Sequence, residues 1–316
     1  MGKKILAALA VMATVLASCE YQRLDEETAM QRTPFTVEFD HSLVESIPSE
    51  YRVAFYPDDE QTRENVTAGY MVYDMTTASH ELTMPAGIYR ITAWNHDTEH
   101  TQTYGYGVRN DSYATTSRSA YELPHIIDSI YAHQTVLDYP DYMTHANVER
   151  FVLIPHVPDQ VLTLQPDSMV IAVNMTIGGV HGLSEVIETR GSIDNVPARR
   201  YLAYDNITAD TTVVIFECNV TPETNTVTAH FHLFGLEPTD LTGLNHSIIL
   251  YFWMNGGRVY LPIDITELVA RARQDSKRFD ISIKDLNIDL REYIAPGNGY
   301  DVTVDDWDNI IIDMNL

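Results

Sequence analysis

Apolar residues recur at every second position in run after run of this chain, and the runs are separated by proline, glycine, asparagine and aspartate. In "FTVEFDH" (35–41), Phe35, Val37 and Phe39 alternate with Thr36 and Glu38. That is the period of a strand with one dry face and one wet face. "YRVAFYPDD" (51–59) is a β-rich run halted by Pro57 and two aspartates. "HELTMPAGIYRITAWNHD" (80–97) reads as a hairpin turning at Pro85-Ala86-Gly87, with Ile88, Arg90 and Thr92 alternating with Tyr89, Ile91 and Ala93.

A second series follows: "VLTLQPDSMVIAVNMTIGGV" (161–180), "TTVVIFECNV" (211–220), "NTVTAHFHLFGL" (225–236) and "HSIILYFWMNGGRVYLPIDI" (246–265). In the last of these, Asn255-Gly256-Gly257 between apolar runs is a strong hairpin signal. Only "TELVARARQDS" (266–276) has helical spacing, with Thr266 as the expected N-cap and Glu267 in the first turn. Many short strands separated by turns, in two series, predict a mainly β chain of two β-sandwiches. Residues 34–155 are expected to form the first and 156–316 the second, with an irregular excursion over 111–150 where the alternation fades.

The N-terminus bears on compartment. Lys3 and Lys4 precede an uncharged apolar run from Ile5 to Leu16, and Ala17-Ser18 are residues a signal peptidase accepts. A spanning helix needs about 20 apolar residues, and this run ends sooner, at Cys19 and Glu20. Leu16-Ala17-Ser18-Cys19 resembles the bacterial lipobox, in which the cysteine is acylated and the chain is cut before it. Residues 1–18 then form the signal peptide, Cys19 the lipidated first mature residue, and 19–33 an acidic tether. The expected partner of the N-terminus is a lipid bilayer, entered by acyl chains. The one other cysteine, Cys218, reads as a lone buried thiol.

Removing Lys3 and Lys4 leaves 18 basic residues against 45 acidic ones, a formal charge of −27. Nucleic acid is a poor partner for such a surface. The acidic groups are dispersed through the chain, which favours a solvated exterior over one acidic site.

Each candidate site residue also admits a simpler role. His96 and His100 stand four apart in "NHDTEH", but the glutamate is misplaced for H-E-x-x-H, and a polar loop after a strand accounts for them. His230 and His232 share one strand face without an identifiable third metal ligand. Asp301, Asp305, Asp306 and Asp308 lack the spacing of an EF-hand loop. No nucleophile elbow or phosphate-binding glycine loop occurs. The expectation is a non-enzyme with no metal and no cofactor. Trp94, Trp253 and Trp307, with the 19 tyrosines, are the stacking platforms that a glycan-binding alternative would use, but two of the tryptophans sit inside or beside apolar strand patterns, the surroundings of core residues.

Three stretches in this order, "VAFYPDD" (53–59), "MPAGIYRITAWNHDTE" (84–99) and "PGNGYDVTVDDWDNIIIDMNL" (296–316), resemble a Bacteroidales lipoprotein family of unknown function related to fimbrillins and fimbrial anchor subunits. Cys19 and "LYFWMNGGRVYLPIDITELV" (250–269) fit the same pattern. The resemblance implies transthyretin-like Greek-key sandwiches, an outer-membrane lipid-anchored location, facing outward or into the periplasm, and a fimbrial anchoring or adhesion role with fimbrial subunits as partners. An open sheet edge would accept a partner's strand in such a role, with "NIIIDMNL" (309–316) as donor or as the strand sealing its own domain.

Overall fold

The computed structural model describes residues 32–121, 123, 134–204, 206–237, 243–255, 257–272, 277–293 and 301–303. In chain order the strands are β1 (Arg32–Phe39), β2 (Glu50–Pro57), β3 (Met71–Thr76), β4 (His80–Pro85), β5 (Gly87–Asn95), β6 (Thr101–Tyr104), β7 (Tyr113–Thr116), β8 (Val136–Asp138), β9 (Thr144–Leu153), β10 (Val161–Leu164) and β11 (Asp167–Ser168). They continue with β12 (Ile171–Gly178), β13 (Val180–His181), β14 (Val186–Pro197), β15 (Arg199–Tyr201), β16 (Thr211–Glu217), β17 (Asn219–Thr221) and β18 (Thr226–Leu233). Last come β19 (Ser247–Met254), β20 (Gly257–Asp264), β21 (Arg278–Ile283), β22 (Ile288–Asp289) and β23 (Asp301–Thr303). Two helices are short: α1 (Glu60–Asn65) and α2 (Thr266–Arg271).

The chain is mainly β and its strands form two sandwiches. The first unit holds a three-stranded sheet, β10-β1-β4, and a five-stranded sheet, β11-β9-β5-β2-β3. The alternation of β1 is carried into burial: Thr33, Phe35 and Val37 point inward and Arg32, Pro34 and Glu38 outward. Phe35 meets Phe55 edge to face at 5.9 Å, and Val53, Tyr89, Ile91 and Met84 complete the fully buried interior. Each large side chain so buried contributes about 1.5–3 kcal/mol.

The second unit pairs a four-stranded sheet, β17-β18-β12-β21, with a six-stranded one, β23-β20-β19-β14-β16-β8. Its core is larger, with Phe216 stacked on Phe231 at 3.9 Å. The hairpin expected from Asn255-Gly256-Gly257 is present in the pairing: β19 and β20 run antiparallel from Ser247↔Asp264 to Met254↔Gly257.

Four expectations differ from the structure. The run 80–97 is two strands but not a hairpin, because β4 pairs with β1 while β5 pairs with β2 and β9. Pro85-Ala86-Gly87 therefore carries the chain from one sheet of the sandwich to the other, the crossing typical of a Greek key. Alternation reports which face of a strand is dry and not which strand lies beside it. Thr266 is the first residue of α2 and not its cap: Ile265 occupies that place, and Asp264 Oδ1 accepts the Thr266 N–H at 2.8 Å.

Residues 122 and 124–133 lie outside the described residues; the rest of 111–150 holds β7, β8 and most of β9, a ten-residue strand whose pairing with β5 slips between Tyr89 and Ile91. Such a slip breaks the period of two by which a strand is recognised. The compact units also divide the chain elsewhere than at 155/156. The first contains residues up to 97, 107–109 and 145–167, and the second 98–106, 110–144 and 168 onward. The reason lies in β10, which pairs in parallel with β1 (Thr36↔Val161 to Phe39↔Leu164) and so belongs to the first sandwich.

Candidate functional site

Sheet edges are where this architecture can meet a partner, since an edge strand presents unpaired N–H and C=O groups. In the first unit β10 pairs with β1 on one side and with no described strand on the other. Close to it in the chain, Val152, Ile154, Val157 and Val161 are 40–49% exposed, an unusual run of apolar surface. The connection between β9 and β10, which carries Ile154 and Val157, is braced by Gln160, whose side chain takes the Ile154 N–H at 2.8 Å and donates to the Ile154 and Val157 carbonyls. In the second unit the edge strand β21 turns Arg278, Asp280 and Ser282 to solvent. Charges at an edge discourage pairing. At the opposite sheet, β23 pairs in parallel with β20. Cys19, Asp305, Asp306, Trp307, Asp308 and "NIIIDMNL" (309–316) lie outside the described residues.

The rings of His96, His230 and His232 each have neighbours within the fold. In the first unit the His96 ring meets Arg52 Nη2 at 3.0 Å, and Arg52 forks onto Asp74 at 2.6 and 2.7 Å. The Arg52 hydrogen bond holds the Asp74 carboxyl below its usual value. In the second unit His100 gives its backbone N–H to Asp141. His230 and His232 do lie side by side, with ring centroids 5.5 Å apart. His230 Nδ1 is 2.9 Å from Asn174 Oδ1, Asn174 donates to Asp280, and Arg278 donates to Asp280 as well. Among the described residues no three His, Cys, Asp or Glu side chains are grouped to hold a metal.

Of the proposed stacking rings, Trp94 is fully buried. Trp253 is half-buried on the outer face of the six-stranded sheet, beneath Tyr121 at 5.8 Å and beside Tyr251 at 6.3 Å. It belongs to a small cluster with Val213, Ile249 and Tyr260 that Leu123 also covers. Burial pushes the Tyr121 hydroxyl up to about 12. Both tryptophans therefore serve packing, as their apolar surroundings in sequence suggested.

Sequence reading missed a cavity of about 610 Å3 in the second unit, at one end of the four-stranded sheet. Three turns build it. Gly179 (φ 81°), Asn225 (φ 51°) and Asn287 (φ 52°) are each left-handed. Val180 N–H donates to Asn225 O, Leu286 N–H to Gly178 O and Ile288 N–H to Gly179 O, so the turns are tied to one another by backbone bonds. A Cβ on Gly179 would stand 2.7 Å from Asn287 N, which leaves glycine as the residue that fits. Thr176, His181, Ile283, Lys284 and Asp285 add to its walls. The only sequence signal was Gly178-Gly179 at the end of a strand.

Comparison with known proteins fits this architecture. The profile of a family described as a domain of unknown function, DUF5119, matches residues 18–217, more than half of the chain. The chain belongs to the DUF5119 family. No curated protein matches it. Among solved structures, a candidate adhesin of Bacteroides ovatus aligns with the DUF5119 protein at 17% identity and a TM-score of 0.59, over 80% of this chain and 94% of its own. A candidate polysaccharide-binding protein of Bacteroides thetaiotaomicron aligns at 11% identity and a TM-score of 0.51, over 80% and 92%. The fimbrial anchor protein Mfa2 of Porphyromonas gingivalis aligns at 12% identity and a TM-score of 0.45, over 79% and 89%. The first two establish a shared fold. Among the described residues no helix is long and apolar enough to cross a membrane.

Proposed function

We propose that this DUF5119 protein is a cell-envelope adhesion lipoprotein, held at the outer membrane by acylated Cys19 and engaging fimbrial-type subunits through strand pairing. The observation that carries the reading is the β10 edge, unpaired among the described residues, with Val152, Ile154, Val157 and Val161 exposed close to it in the chain. A partner strand laid along β10 would satisfy its free backbone groups, and the valines would give the added strand an apolar face to cover. The fold shared with a candidate adhesin supports the same role. Chemistry has no part in it, and no metal or cofactor is required.

The test is whether the protein travels with sheared surface fibres from its native cells, wild type against Cys19→Ala. Fibre-bound wild type, with fibres released into the medium by the variant, is the expected result. Wild type that stays in the membrane with no fibre attached would remove the fimbrial role.

A glycan-binding surface lipoprotein is the second reading. The polar cavity of the second unit favours it, as does the fold shared with a candidate polysaccharide-binding protein.

A further inference from the structure

We infer that the cavity between the three left-handed turns of the second unit binds a neutral saccharide. The inference rests on the glycan-binding reading and gives it a site and a ligand class. At about 610 Å3 the cavity lies within the roughly 300–1,000 Å3 range of small-molecule sites. Its walls are mostly hydrogen-bonding groups, which do not suit an apolar ligand.

Three of those groups, at Asn225, Asn287 and Thr176, are left open to a ligand. Asparagine is common in left-handed turns because its side chain can bond to nearby backbone. Yet the side-chain amides of Asn225 and Asn287 make no hydrogen bond with any described residue, and neither does the Thr176 hydroxyl on β12. Each of these groups both donates and accepts. A ligand that matches them must also do both at closely spaced points, as ring hydroxyls do.

Charge narrows the class. Lys284 is the one fixed cation lining the cavity and Asp285 stands next to it, so the two offset each other. A strongly acidic chain adds nothing to attract an anion. A single carboxylate does not make a metal site.

The experiment is calorimetric titration of the purified full-length protein with maltotriose, mannotriose and diacetylchitobiose as neutral probes and sialyllactose as an acidic one. Asn225→Gly combined with Asn287→Gly removes both amides while keeping residues that accept the left-handed turn. Thr176→Val is close to isosteric and reports on one hydroxyl. At least one neutral probe is expected to bind, weakened at least about tenfold by the double glycine variant. Lys284→Gln should change that affinity by less than about threefold. A neutral probe held equally well by wild type, the double glycine variant and Thr176→Val would place the site elsewhere and leave the glycan reading standing. Failure of every neutral probe would overturn both. Sialyllactose bound alone and lost with Lys284→Gln would overturn the neutral ligand class.

Discussion

The Asp59 carboxylate accepts the backbone N–H of Ile88 at 3.1 Å, across 29 residues of chain. The same carboxylate caps α1 through Thr62 N at 2.8 Å and takes the Thr62 hydroxyl at 2.5 Å. One side chain thus joins a helix start to the beginning of strand β5. Asp59→Ala removes the cap and strands the Ile88 donor, and should lower unfolding free energy by about 2–3 kcal/mol in urea titration. Asp59→Asn should cost less, because one acceptor oxygen survives.

Gly87 is part of the same junction, since a Cβ there would lie 2.0 Å from Thr62 Oγ1. Gly87→Ala is expected to cost about 1–3 kcal/mol through overpacking. A second substitution, Thr62→Ser, removes the methyl that stands 2.7 Å from the added carbon but keeps the hydroxyl. The pair should therefore recover only part of the loss.

Acid stability should fall in a way set by Asp59 and Asp97. Burial pulls both upward, yet hydrogen bonds win and hold them below 3.8: from Thr62 and Ile88 on Asp59, from Ser49 and Asn95 on Asp97. A depressed folded pKa means stabilisation that is present above the unfolded value and is lost as pH falls through the folded one. Asp194 has the opposite sign. Burial raises it despite the Ser247 N–H at 2.6 Å, so its ionised form costs stability as pH rises past 3.8. Asp194→Asn should raise Tm at about pH 7, and the difference should vanish below about pH 3.

Cys218 should be a silent thiol. It is half-buried and unpaired, and burial pushes its pKa upward. Reaction with a disulfide reagent is expected to be slow in the native protein and complete in denaturant, because the thiolate is the reacting form.

Val161→Lys places a charge on the β10 edge at a site 49% exposed. Stability should stay within about 0.5 kcal/mol, while partner capture in a fibre pull-down should drop. Loss of partner binding together with unchanged melting would separate edge pairing from folding.

Local pattern along the chain was enough for the class of fold, the dry face of β1, the hairpin of β19 and β20, and the packing roles of Trp94 and Trp253. Each depends on residues adjacent or near in the chain, where alternation and turn chemistry act. Tertiary structure decided which strands pair. β4 with β1 and β10 with β1 are choices among many dry-faced strands, made by fit across a shared core. The bulge that hides β9, the helix α1 capped by Asp59, and the cavity between the turns at 178–182, 222–226 and 284–288 are likewise products of distance in space. Three separate turns converge on that cavity only after β12, β18 and β21 are side by side, and no local pattern in the chain can encode their meeting.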